Sequence, residues 1–302
     1  MLAARRAGRS SIVRMARAGT EPARRVLVTG GSGYLGRALV AAAPAAGWEA
    51  IPTRLTAAAD GIRLDVRDAG AVDRMVRELR PDAVIHTAYL QSGPAMRAVN
   101  VDGAAHVAGA AARHGVRLVH LSTDFVFDGE LGRPYREDDA AAPLTGYGRS
   151  KLDGELEAAA RHPAALVVRT SLIYGGAAPG PQERLVADAL AGRTDVAFFE
   201  DEIRSPIAAP DLAAALLELA AGEERGVLHV AGPDHLSRLE FALLLAAAAG
   251  RAGGSIRSAR SAGSAVRRPL DCSLDSSRAY ALLAARVRGP RTALASGPPA
   301  PN

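Results

Sequence analysis

A chain of 302 residues with 48% hydrophobic content has enough apolar material to bury a large globular core. A lone cysteine, Cys272, excludes a disulfide framework and a cysteine metal site and suits a reducing, cytoplasmic setting; no apolar run nears the ~18 residues of a membrane span, so no membrane partner is expected. The net charge of +5 divides into +6 on residues 1–25, +7 on 251–302 and −8 on the body between, which argues against a nucleic-acid partner because that needs a basic face on the folded domain.

Residues 1–24 are rich in Arg and nearly free of acid, without the apolar core of a secretory signal. They are read as a disordered leader, with Met15 a candidate start and a transit peptide the alternative. Residues 25–29 are a buried strand. Gly30-Gly31-Ser32-Gly33-Tyr34-Leu35-Gly36 then opens an apolar helix over 34–46. Glycines at three-residue spacing between a strand and a helix permit a tight turn and let backbone amides approach a pyrophosphate. A second strand is expected over 49–53. It ends in Thr53-Arg54 rather than in the acid that holds ribose hydroxyls in NAD sites. Arg54 suits a 2′-phosphate, so NADPH is expected, with NADH the alternative. Residues 63–66 form a short strand, where Asp65 is placed to accept from an adenine amine.

A helix over 71–79 leads to a third buried strand over 83–88, whose end carries His86, Thr87 and Ala88; His86 is either packed or ligand-facing. The next helix, 98–114, holds Asn100, the sole asparagine apart from Asn302; a helix cap is its plain structural reading. The strand 116–121 ends in Ser122-Thr123-Asp124. A hydroxyl there can hold a substrate carbonyl. A helix after Pro143 and a strand over 165–170 complete an α/β fold with a doubly wound parallel sheet. Beyond it the pattern loosens into a smaller C-terminal substrate lobe over 175–288, with returns to the core at about 208–232. Helices are expected at 182–191, 211–221 and 239–249, and strands at 196–199 and 227–231. From Ala285 onward a frayed tail is expected.

Lys151 is the only lysine beside 36 arginines, and it lies four residues after Tyr147. Residues i and i+4 share a helix face. An ammonium beside a phenol would lower its pKa from about 10 toward neutrality and make it a usable proton donor. Arg is the poorer choice for that task, its fork being wider and differently hydrated.

Together these residues resemble the extended short-chain dehydrogenase/reductase family over roughly 25–288, a Rossmann core (25–174) with a substrate lobe. Thr29-Gly30-Gly31-x-Gly33-x-x-Gly36 matches its cofactor motif and Tyr147 with Lys151 its catalytic pair, while Thr123 and Asn100 match its hydroxyl and helix asparagine. Within the family the chain looks most like the dTDP-4-dehydrorhamnose reductase group, through residues 121–129, 169–174 and 201–206. The resemblance implies NADPH-dependent reduction of a 4-keto group on a nucleotide-linked deoxysugar. It implies that Tyr147 protonates the carbonyl oxygen, Thr123 orients it, Lys151 holds the nicotinamide ribose, and Asn100 holds a relay water. The cofactor would lie on Gly30, Ser32, Gly33, Tyr34, Leu35, Gly36, Arg54, Asp65, Val66, Thr87 and Ala88, and the sugar nucleotide near Thr123, Asp124, Leu172 and Arg204. Two departures stand out. Leu172 takes the place of the group's usual Trp, and Tyr89-Leu90-Gln91-Ser92-Gly93-Pro94 replaces its acidic stretch. No metal ligands are expected, a need for magnesium stays open, and a homodimer is the assembly left open. The rival readings are a sugar-nucleotide epimerase and a non-catalytic NADP-binding regulatory subunit.

Overall fold

A computed structural model describes residues 23–295, except 57–59, 252–255 and 264–266. The expected leader and residues 296–302 lie outside the described residues, apart from residues 23–24.

The chain opens with β1 (Arg24–Thr29), whose last four residues are buried, and α1 (Tyr34–Ala42). There follow β2 (Trp48–Arg54), β3 (Ile62–Arg63), α2 (Ala69–Leu79) and β4 (Ala83–His86). A π-helical turn over Ala98–Asp102 leads into α3 (Gly103–Arg113), then β5 (Arg117–Thr123), α4 (Gly146–Arg161) and β6 (Leu166–Thr170). Beyond these lie β7 (Ile173–Tyr174), α5 (Pro181–Leu190), β8 (Phe198–Phe199), β9 (Ile203–Arg204), β10 (Ile207–Ala208), α6 (Ala209–Ala221) and β11 (Gly226–His229). The chain ends through β12 (Leu236–Ser237), α7 (Arg238–Ala248), β13 (Ser258–Ala259), α8 (Ser277–Leu282) and α9 (Pro290–Ala295).

Seven strands form one parallel sheet in the order β11-β6-β5-β4-β1-β2-β3. Strands buried on both faces read as apolar runs because helices cover both sides. Leu35 and Leu39 of α1 meet Leu212 and Leu216 of α6 on one face. Val72 and Val76 of α2, Val107 of α3 and Ala158 of α4 cover the other. The chain order reverses between β1 and β4, so the carboxyl ends of those strands open the crevice where such sheets take ligands. The smaller lobe has three two-stranded pieces, β10–β7, β12–β9 and β13–β8, packed with α5 and α7.

Local chemistry sets the boundaries. Asp68 caps α2 by accepting from Ala71 N, and Thr145 caps α4 by accepting from Gly148 N. Ser237 and Glu240 make a reciprocal capping box on α7. Three expectations need correction. The strand expected over 63–66 stops at Arg63, because the Asp65 carboxylate turns back to accept from Arg67 N at 3.0 Å. The helix expected over 98–114 starts as a π turn. The tail expected from Ala285 is tied down as far as Ala295. Arg288 makes a bidentate pair with Asp211, and Arg291 N donates to Asp234.

Three imidazoles sit inside the sheet. His86, His120 and His229 are at most 2% exposed. Burial pulls His86 down to about 3 and His229 to about 4, and holds His120 well below its ordinary value. The unfolded chain therefore binds more protons than the folded one as pH falls from about 6.5, and stability falls with it. Between pH 7 and 5.5 His86 and His229 should each cost about 1 kcal/mol, or roughly 2 kcal/mol together, and His120 acts in the same direction. Urea unfolding at the two pH values checks this; equal midpoints would mean that the imidazoles charge without loss of the fold.

Candidate active site

The site starts at the turn from β1 into α1. Gly30 has φ of 71°, and a Cβ there would lie 2.9 Å from Ala88 N, so β1 and β4 can end side by side only with glycine at that point. A Cβ on Gly36 would lie 2.3 Å from Gly30 O, which sets how closely α1 seats on the turn. Gly33 is the N-cap of α1 and supplies no side-chain cap. The opening amides of α1 therefore face the crevice as donors for an anion. Thr87 Oγ1 donates to Thr29 O at 2.7 Å and closes the strand ends together. Ser32 is only partly buried, and its carbonyl accepts from Arg37 at 2.7 Å. Among the expected cofactor residues, Gly30, Gly33, Tyr34, Leu35, Gly36, Thr87, Tyr147 and Lys151 line one cavity.

The residues expected on the adenine side lie outside this cavity. Arg54 donates to Gly61 O at 2.9 Å and to Thr56 O at 2.7 Å, within the turn from β2 to β3. Asp65 is held by Arg67 in a 2.6 Å ion pair whose hydrogen bonds lower its pKa. Val66 is buried, with its carbonyl 3.0 Å from His106 Nδ1 and its side chain against Gly103.

Thr123, Asp124, Phe125, Tyr147, Lys151 and Leu172 meet in the same cavity. The Tyr147 ring lies 6.0 Å from both Tyr89 and Phe125, the second edge-on. Burial pushes its phenol well above the ordinary tyrosine value; Tyr89 adds to the rise and the Thr123 hydroxyl opposes it. The lowering expected from Lys151 is not seen. Lys151 is 5% exposed, and its Nζ turns to the Leu121 carbonyl at 2.7 Å. Burial pulls this amine down to about 8, against the pull of Glu155. Each partner is thus shifted toward its neutral form by loss of water.

Helix α4 can carry this pair so deep because of two glycines. A Cβ on Gly148 would lie 2.1 Å from Phe125 O, and one on Gly154 would lie 2.3 Å from Asn100 O. A buried ion pair, Arg169 to Glu155 at 2.7 Å, ties α4 to β6.

Asn100 is not a helix cap. Within the π turn its Oδ1 accepts from Leu90 N, and its Nδ2 donates to Leu90 O and Ser150 Oγ, at 2.8, 2.8 and 2.9 Å. Its side chain is a clamp that fixes the segment after β4 against α4. His86 is the packed alternative: its Nδ1 lies 2.6 Å from Thr29 Oγ1, and its ring stands 5.1 Å from that of His120. Asp124 is buried and raised by that burial, and accepts from Ser171 Oγ at 2.6 Å. Arg204 is 1% exposed and does not line the cavity. It donates to the carbonyls of Ile203, Pro269 and Leu270, pairs with Asp124 at 3.9 Å, and stacks over Phe125 at 5.1 Å. It lies against Phe125, outside the residues that line the cavity. Leu172 lines the cavity and also packs against the core of the smaller lobe.

Tyr89, Gln91, Phe125 and Gln182 line the cavity and were not foreseen. Tyr89 and Gln91 come from the loop after β4, Phe125 from a short 3-10 turn after β5 and Gln182 from the first turn of α5, so no shared periodicity marks them. Among the described residues, no group of three or more His, Cys, Asp or Glu is placed to hold a metal ion. No helix among them is long and apolar enough to cross a membrane.

The RmlD substrate binding domain family matches residues 24–296. A dTDP-4-dehydrorhamnose reductase of Mycobacterium tuberculosis is 38% identical over 226 residues, 71% of this chain and 72% of that protein. The methionine adenosyltransferase 2 subunit beta of Pongo abelii is 30% identical over 246 residues, 74% of this chain and 72% of that protein. The structure of a dTDP-4-dehydrorhamnose reductase of Bacillus anthracis in complex with NADP superposes with a TM-score of 0.79 at 25% identity, over 90% of this chain and 98% of that one.

Proposed function

From the premise that the chain belongs to the RmlD substrate binding domain family, we propose that it reduces a 4-keto group on a nucleotide-linked deoxysugar at the expense of NADPH. The carrying observation is the convergence of Thr123, Tyr147 and Lys151 on one cavity with the glycine turn of α1. The turn fits a dinucleotide: a Cβ on Gly33 would crowd Gly30 O at 3.0 Å, so glycine keeps the turn tight, and α1 opens without a side-chain cap. When bound, NADPH supplies the hydride. Tyr147 gives its proton to the carbonyl oxygen, and its raised pKa keeps that proton in place until the oxygen gains charge. Thr123 holds the same oxygen by a hydrogen bond. Lys151, charged below about pH 8, holds the nicotinamide ribose, for which its amine exchanges the Leu121 carbonyl. Asn100 positions α4 and the segment after β4 through Ser150 and Leu90. Arg54, at the end of β2, is the residue for a 2′-phosphate; to engage it, the guanidinium exchanges its bonds to Gly61 and Thr56.

The test is NADPH oxidation by the purified protein with dTDP-4-dehydrorhamnose, repeated with NADH. Leu172 leaves open the surface that a flat indole would cover. Leu172→Trp should raise kcat/KM on that substrate by about five- to thirtyfold, the equivalent of ~1–2 kcal/mol of aromatic contact. A wild type no better with NADPH than with NADH removes the Arg54 assignment. A neutral or harmful Leu172→Trp removes the altered pocket and leaves the plain rhamnose-type substrate. The second reading, a regulatory subunit, is favoured by the similarity to the methionine adenosyltransferase subunit. It predicts NADP binding without turnover of any 4-keto sugar nucleotide.

A further inference from the structure

The bonds of Tyr34 are unlike those of any other residue in the glycine turn. Tyr34 is the first residue of α1, so its amide is among those that open on the crevice. Its side chain points away, to the segment that leads into α5. The phenol oxygen accepts from Gly176 N at 2.8 Å and donates to Glu183 Oε1 at 3.2 Å. The same Oε1 accepts from Gly175 N at 2.6 Å, and Oε2 accepts from Gly180 N at 3.1 Å. One carboxylate thus gathers both ends of the 175–180 loop, and Tyr34 holds its second residue. The ring lies flat against glycine: a Cβ on Gly176 would be 2.8 Å from a ring carbon, and one on Gly180 2.4 Å. Burial first, and Glu183 after it, push the phenol up to about 12, so this donor does not titrate near neutral pH. The loop runs into Pro181 and Gln182, which line the cavity together with Tyr147 and Leu172.

We propose that Tyr34 is a positioning residue through which dinucleotide and sugar nucleotide strengthen each other's binding. This rests on the reading of the site as a dinucleotide and sugar-nucleotide site. A pyrophosphate held on the opening amides of α1 fixes the backbone of Tyr34. The phenol then fixes the 175–182 segment that forms part of the substrate wall. The second ligand meets a wall whose ordering is already complete and binds more tightly, and linkage makes the effect reciprocal.

The experiment is a titration cycle by calorimetry with NADP+ and dTDP, which together give no turnover. Wild type should bind dTDP about fivefold or more tightly when saturated with NADP+, and NADP+ more tightly by the same factor when saturated with dTDP. Tyr34→Phe keeps the ring and loses the hydroxyl; Glu183→Gln replaces an acceptor oxygen with a donor facing Gly180 N. Each should bring the coupling factor close to one. A merely structural contact would lower Tm and weaken both ligands alike, with the factor unchanged, and that result overturns the proposal. So does a wild type that binds both ligands without mutual tightening, although the functional reading then stands. A wild type that binds neither ligand removes both.

Discussion

Tyr147→Phe should lose about 10²–10⁴ in kcat while NADPH still binds, since the change removes one proton and leaves the ring. The phenol stands between Tyr89 and Phe125 at 6.0 Å from each, and Phe fits the same space. Stability should therefore hold. Stopped-flow measurement of hydride transfer with titration of cofactor fluorescence separates the two effects. A variant that turns over as fast as wild type would show that Tyr147 is not the proton donor, and the regulatory reading would gain the ground.

Lys151→Met should damage two quantities at once. Its lost charge-assisted contact to the cofactor ribose is worth about 1.5–3 kcal/mol, on the order of ten- to a hundredfold in cofactor affinity. Turnover should drop by a further ~10² or more, because the nicotinamide is no longer held in line with the substrate carbonyl. The pH profile identifies the cause. Lys151 carries its charge below about 8 and loses it above, so wild-type kcat/KM should fall as pH rises through that value. The limb should be absent in Lys151→Met. The stability effect has the opposite sign: the folded amine titrates below the unfolded one, so raising the pH from about 8 to 10.5 relieves the fold of a buried charge. A wild-type limb that persists in the variant would assign it to another group.

What was legible in the chain is what is encoded locally. Glycine spacing around residues 30–36 and the i to i+4 offset of Tyr147 and Lys151 depend on one turn and one helix, and both residues meet in the cavity. Apolar runs gave the buried strands because helices cover both sheet faces. What stayed hidden depends on distant partners. Arg204 was expected near the sugar nucleotide from the resemblance at residues 201–206, yet its acceptors Pro269 and Leu270 lie some 65 residues away. The segment after Ala285 looks like a frayed end, but Arg288 meets Asp211 77 residues back. The pKa of Tyr147 was expected to follow the nearest charge in sequence. Burial in three dimensions outweighs that charge, since Lys151 turns to the Leu121 carbonyl instead.

The depth of α4 has a consequence for anyone who wants to redirect this site by random variation. Gly148 and Gly154 meet the carbonyl oxygens of Phe125 and Asn100 at distances that no Cβ tolerates. Any other residue at either position lifts the helix and carries Tyr147 and Lys151 with it, whatever the new side chain offers a substrate. Libraries that include those two codons will spend their members on inactive protein. Diversity is better placed on Tyr89, Gln91, Leu172 and Gln182, which line the same cavity from outside that helix.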